Sequence, residues 1–109
     1  MQYSFLAEFF KALAHPLRMR VLDALQEGPV SVNELREKLG VEQSTLSQQL
    51  AVLRQRRLVV TQRRGTTIRY QISDPQIWRL LDEARVIYDN QLVSMRTEIE
   101  EQTSRRATG

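Results

Sequence analysis

Residues 31–55, SVNELREKLGVEQSTLSQQLAVLRQ, hold two helical stripes of apolar residues separated by a glycine. Ser31-Val-Asn-Glu34 has the form of a capping box, in which a serine hydroxyl accepts from an orphan backbone N–H and a glutamate reaches back. Val32, Leu35 and Leu39 give the short helix that follows an apolar face, and Gly40, able to take positive φ, stops it. After a tight turn at Gly40-Val41, the spacing predicts a helix from about Gln43 to Gln55 with Leu46, Leu50 and Leu53 facing inward. Gln43, Ser44, Thr45, Ser47, Gln48 and Gln49 crowd its other side. A helix buried in a core has no need of so many neutral hydrogen-bonding side chains in one run.

Downstream the period changes. LVVTQ (58–62) and IRYQI (68–72) are rich in β-branched and aromatic residues, and in the second Ile68, Tyr70 and Ile72 alternate with Arg69, Gln71 and Ser73. Gly65 and its neighbours read as the loop of a hairpin. Asp74-Pro75 then caps a long last helix, with Ile77, Leu80, Leu81, Ala84, Ile87, Tyr88, Leu92, Met95 and Ile99 at threes and fours. Upstream, Phe5, Leu6, Phe9, Phe10 and Leu13 form a first helical stripe over residues 3–14. Pro16 opens a second helix carrying Leu17, Val21, Leu22 and Leu25, which Gly28-Pro29 ends. The expected organisation is one domain over residues 1–101, with a polar, disordered tail over 102–109.

Two short helices joined by a tight turn, followed by a basic hairpin, make a mainly α fold: a winged helix-turn-helix of five helices with a two-stranded antiparallel wing. In that arrangement the second helix of the pair presents its first polar residues to the edges of bases in a DNA major groove. Glutamine can pair with adenine at N6 and N7, and threonine offers a methyl to thymine. Gln43, Ser44, Thr45, Ser47, Gln48 and Gln49 are the candidate readers. Arg63, Arg64, Thr66 and Arg69 on the hairpin are placed for phosphates or the adjacent minor groove, and Arg54 for a phosphate.

Charge supports a polyanionic partner. The chain is formally +3 with a sequence pI near 9.8. Six arginines (54, 56, 57, 63, 64, 69) and no carboxylate lie between Arg54 and Arg69. From Asp74 to Glu101 seven acidic residues (74, 82, 83, 89, 98, 100, 101) face three arginines (79, 85, 96). Such a concentrated basic strip is the electrostatic footprint expected for double-stranded DNA.

What is missing narrows the function. No cysteine is present, so disulfides, thiolate metal ligands and thiol switches are out. The one histidine, His15, precedes a helix-opening proline and suits a cap better than a metal. No catalytic set appears: Ser31, Ser44 and Ser47 have simpler roles, and charge pairing with Arg36 and Lys38 on nearby turns is a better account of Glu34, Glu37 and Glu42 than a pair of catalytic carboxylates. No apolar run spans a bilayer and no secretory leader opens the chain, so the expectation is a cytoplasmic protein without metal, cofactor or membrane partner.

These residues resemble the ArsR/SmtB group of bacterial repressors, over roughly residues 5–90. The likeness is carried by His15-Pro-Leu-Arg18 with Val21-Leu22, by STLSQQL (44–50), by Leu58-Val59, and by Arg63-Arg-Gly65 through Tyr70. It implies a homodimer paired through the first and last helices on a palindromic operator that overlaps a promoter. Phe5, Phe9, Phe10, Leu80, Ala84, Ile87, Tyr88 and Leu92 would form that interface. The chain departs from the group in several places. Where many members carry metal-binding cysteines this one reads VNELRE (32–37), and its last helix has no histidine. Carboxylates alone make a poor site for the softer transition metals. The group commonly has histidine where Gln49 stands and glycine where Arg57 stands. An unidentified effector is left as the means of relieving repression. The alternatives are a winged-helix module that grips a protein through its long last helix, or a DNA-binding protein with no effector.

Overall fold

Of the five helix starts among the described residues, three carry a side chain that satisfies a free N–H. The structure, a computed structural model, describes residues 1–108. Its elements are α1 (Tyr3–Leu13), α2 (Pro16–Ala24), β1 (Val30–Ser31), α3 (Val32–Leu39), α4 (Gln43–Gln55), β2 (Val59–Arg64), β3 (Thr67–Ile72) and α5 (Pro75–Thr108). At α2, Pro16 takes the first helical position and His15 Nδ1 accepts from the Leu17 N–H at 3.2 Å. At α3, Ser31 Oγ accepts from the Glu34 N–H at 3.2 Å. The Glu34 carboxylate reaches back to the Ser31 hydroxyl at 3.1 Å rather than to its backbone, a variation on the expected box. Asp74 Oδ1 accepts from the Gln76 N–H at 2.9 Å and opens α5. Gly40 closes α3 at φ 64°, as expected of a left-handed cap.

The described residues fall into two units, 1–78 and the rest of α5 from Arg79. The core of the first unit is wholly aliphatic. Val21, Leu22 and Leu25 from the α2 region meet Leu35 of α3, Leu46, Leu50 and Leu53 of α4, and Leu58 and Val59 at the wing's start, all buried. Ala12 and Leu13 of α1, Val30 of β1 and Ile77 of α5 complete it. Each such leucine or valine contributes about 1.5–3 kcal/mol by leaving water, so this core sets the angle of α4 against α2 and α3.

The sheet is antiparallel in the order β1-β3-β2. The two-residue β1, absent from the expected two-stranded wing, pairs Val30 with Tyr70 and Ser31 with Arg69. A strand this short has no period to read. The wing's base is tied by Ser73, whose Oγ donates to the Arg57 carbonyl at 2.7 Å and whose N–H donates to the Leu58 carbonyl at 3.0 Å. Arg57 itself stands at φ 60°, a left-handed conformation.

In the second unit α5 runs on to Thr108, through residues assigned on sequence to a disordered tail. The reason is local. Residues 97–108, TEIEEQTSRRAT, contain no proline or glycine, and Arg105 and Arg106 lie in the last turn, where cations suit the helix dipole. Thr97 and Thr103 return their hydroxyls to the carbonyls of Val93 and Ile99. No helix among the described residues is long and apolar enough to cross a membrane.

Candidate nucleic-acid interface

The buried line of α4, Leu46, Leu50 and Leu53, fixes what the rest of the helix shows to solvent. Opposite it, at spacings of four, three and four, stand Ser44, Gln48, Ala51 and Gln55, all exposed. Gln43, Ser47 and Arg54 lie along one flank, also exposed. Thr45 and Gln49 lie along the other. Thr45 is open, whereas Gln49 is half-buried: its Oε1 accepts from Arg18 Nε of α2 at 2.7 Å. So the structure gathers Gln43, Ser44, Thr45, Ser47 and Gln48 on one open surface and sets Gln49 at its edge. The amino end of α4 carries no acidic residue in its first turn, and the Glu42 side chain makes no cap. Its first N–H groups therefore have no side-chain partner, and the positive end of the helix dipole lies at the end of the helix that carries Gln43, Ser44 and Thr45.

Register sorts the wing. Val59, Thr61 and Arg63 pair with Ile72, Tyr70 and Ile68, and this face carries the buried Val59. The outer face holds Val60, Gln62 and Arg64 opposite Gln71, Arg69 and Thr67. Arg63 and Arg64, neighbours in sequence, thus stand on opposite faces of the ribbon close to its turn. Both are exposed, as is Thr66 in the turn. Gln62 Nε2 donates to Gln71 Oε1 at 2.6 Å and stiffens the outer face. Arg69 is half-buried among them, with its Nε buried and without a hydrogen-bond partner. It lies within the sheet, paired with Ser31 of β1 and Gln62 of β2, rather than at the tip.

The arginines after α4 divide in the same way. Arg54 is eleven residues from Gln43, about 16 Å along the helix axis, and belongs to the far end of the surface. Arg56 turns towards α1, with NH1 3.8 Å from Glu8 Oε2. Arg18 is the residue that sequence reasoning missed. It appeared only as a letter in the His15-Pro-Leu-Arg18 run, since a contact spanning thirty-one residues leaves no local signal.

Of the apolar residues assigned to a subunit interface, Phe5 and Phe10 of α1 are exposed, Phe5 at 74%. Phe9 is half-buried and meets Phe10 edge-on, with ring centroids 5.7 Å apart. In α5, Ile87, Tyr88 and Leu92 are exposed, as is Ala84, while Leu80 is half-buried. The exposed apolar row runs on through Met95 to Ile99.

Comparison with known proteins places this geometry. A family model described as a helix-turn-helix domain matches residues 13–62. The chain is 48% identical over 86 residues to the HTH-type transcriptional regulator Rv0081 of Mycobacterium tuberculosis, covering 78% of this chain and 75% of that protein. The crystal structure of Rv0081 superposes with a TM-score of 0.77, covering 84% of this chain and 93% of the other. Over 85 residues it is 38% identical to the biofilm growth-associated repressor of Xylella fastidiosa, covering 78% of this chain and 75% of the repressor. The solution structure of Mb0332 from Mycobacterium bovis, a homodimeric winged helix-turn-helix DNA-binding domain and possible ArsR-family regulator, is 31% identical, with a TM-score of 0.73 and 83% of each chain covered.

Proposed function

The chain belongs to the ArsR/SmtB-type winged helix-turn-helix transcriptional regulators, and from that premise we propose that it is a homodimeric repressor which occludes a promoter at a palindromic operator. The observation that carries this reading is the open row Gln43, Ser44, Thr45, Ser47 and Gln48 at the amino end of α4, in one unit with a wing whose tip bears Arg63 and Arg64. Neutral side chains that both donate and accept read base edges, while the arginines supply the attraction to phosphate that any duplex offers.

Two copies related by a two-fold axis would enter two major grooves about one helical turn apart, which is why the operator is expected to be palindromic. The exposed apolar faces of α1 and α5 are the surfaces that two copies would cover. Mb0332 is homodimeric and the Xylella protein is a repressor, in agreement with this assembly and outcome. DNA and a second copy are the partners, and the cytoplasm is the compartment. Relief of repression requires an effector that binds the free dimer more tightly than the DNA-bound one, since coupling between two ligands is reciprocal.

Fluorescence anisotropy tests the proposal, using the duplex immediately upstream of this protein's own gene against a shuffled duplex at near-physiological salt. A preference of about a thousandfold is expected. Equal weak binding to both would remove operator recognition at that site, and no binding to either would remove DNA as the partner.

A further inference from the structure

Gln49 was grouped on sequence with residues able to read adenine by donating and accepting together. Its setting works against that, because the side-chain oxygen is held toward Arg18 of α2. Arg18 donates through Nε to the Gln49 side chain at 2.7 Å, and through NH1 to the Ala12 carbonyl of α1 at 3.2 Å. A guanidinium has no acceptor, so the Gln49 atom that receives it must be the carbonyl oxygen, and the orientation of the amide follows from chemistry alone. The amide nitrogen is then left with two N–H donors. Among the described residues it has no hydrogen-bond partner, and it is not one of the buried unpartnered atoms. It opens on the flank of α4 that also carries Thr45.

We infer that Arg18 is a positioning residue that holds the Gln49 oxygen toward α2, so that Gln49 meets DNA through its N–H groups, on an acceptor rather than on adenine's paired donor and acceptor. The acceptor is a phosphate oxygen or an acceptor-only base edge such as guanine N7 and O6. The inference rests on the reading of α4 as the DNA-facing helix. It also makes a structural prediction of its own: a side chain with one acceptor and one donor on separate atoms can replace Gln49, and neutral histidine is such a side chain.

The test uses the full chain and the two duplexes named above, at about pH 8, where an imidazole is neutral. Gln49→His is expected to bind the native duplex within about threefold of the unaltered chain, since both hydrogen bonds can form. Gln49→Met, which has neither group, is expected to lose about tenfold. Arg18→Met frees the amide to rotate and is expected to lose a similar factor. The pair R18M/Q49M should bind no more weakly than the weaker single variant, because Arg18 acts through Gln49. Equal losses on both duplexes assign the acceptor to phosphate, and a loss confined to the native duplex assigns it to a base; either supports the inference. Unchanged affinity in Gln49→Met, a Gln49→His variant as weak as Gln49→Met, or additive losses in the pair would overturn it. Circular dichroism melting identifies any variant that fails to fold, and if Arg18→Met does, the comparison of Gln49→His with Gln49→Met decides alone. An unaltered chain that binds neither duplex overturns the DNA reading itself before any variant is made, and so keeps the two failures apart.

Discussion

Two single residues show how far local conformation constrains this chain. Arg57 holds φ 60°, which an L-residue adopts at a cost of about 1 kcal/mol because its Cβ crowds the following carbonyl. Glycine has no such cost, which gives a physical reason for the group's glycine at this position. Arg57→Gly is therefore expected to raise stability by about 0.5–1 kcal/mol, part of the relief being offset by the freer unfolded chain. Thermal melting checks it, and a lower melting temperature would show that the arginine side chain has a stabilising role of its own. His15 is the complementary case, a cap through Nδ1. His15→Ala is expected to cost about 1 kcal/mol and His15→Asn to restore most of it, because asparagine also presents an acceptor to the free N–H. Equal losses in the two variants would point to packing rather than capping.

At the scale of the element, α4 and the wing make different demands on DNA. Gln48 stands in the line opposite the buried leucines, so Gln48→Ala is expected to narrow the gap between native and shuffled duplexes by about 1–3 kcal/mol. Arg64 stands at the ribbon's tip, so Arg64→Ala is expected to weaken both duplexes alike and to lower the slope of log affinity against log salt by about 0.9. Anisotropy titrations over a salt series read both, and the reverse pattern would exchange the two roles. The bounds of α4 and the glycine stop of α3 were legible because caps and apolar periods are written in consecutive residues. The faces of the wing were legible only in part. Alternation tells which residues share a side, but register alone shows Arg63 opposite Ile68 and Arg64 opposite Thr67. The strand β1 was not legible, because its hydrogen bonds run to β3, about forty residues away.

For the whole molecule the open question of stability is the apolar surface. Ile87, Tyr88 and Leu92 are 58%, 59% and 44% exposed, a row of large side chains that a lone helix would leave in water. A second copy is the proposed cover. Replacing Ile87 and Leu92 together by glutamate is expected to give monomers by sedimentation equilibrium and to weaken operator binding by a hundredfold or more, as two linked half-site contacts become one. A variant that stays dimeric with full affinity would place the interface elsewhere.

The sequence by itself determined the order of the five helices and the two wing strands, the helix-turn-helix, the polar row of α4 and the basic strip behind it. These depend on periods of two and 3.6, on caps and on turn residues, all local in the chain. The tertiary structure decided which polar residues act together. It turned Gln49 to Arg18, drew Arg56 to Glu8 and seated Arg69 within the sheet between β1 and β2. Each of these depends on packing angles and strand register set by the leucine core. Hydrogen bonds and ion pairs form between side chains within a few ångströms in space, whatever their separation along the chain.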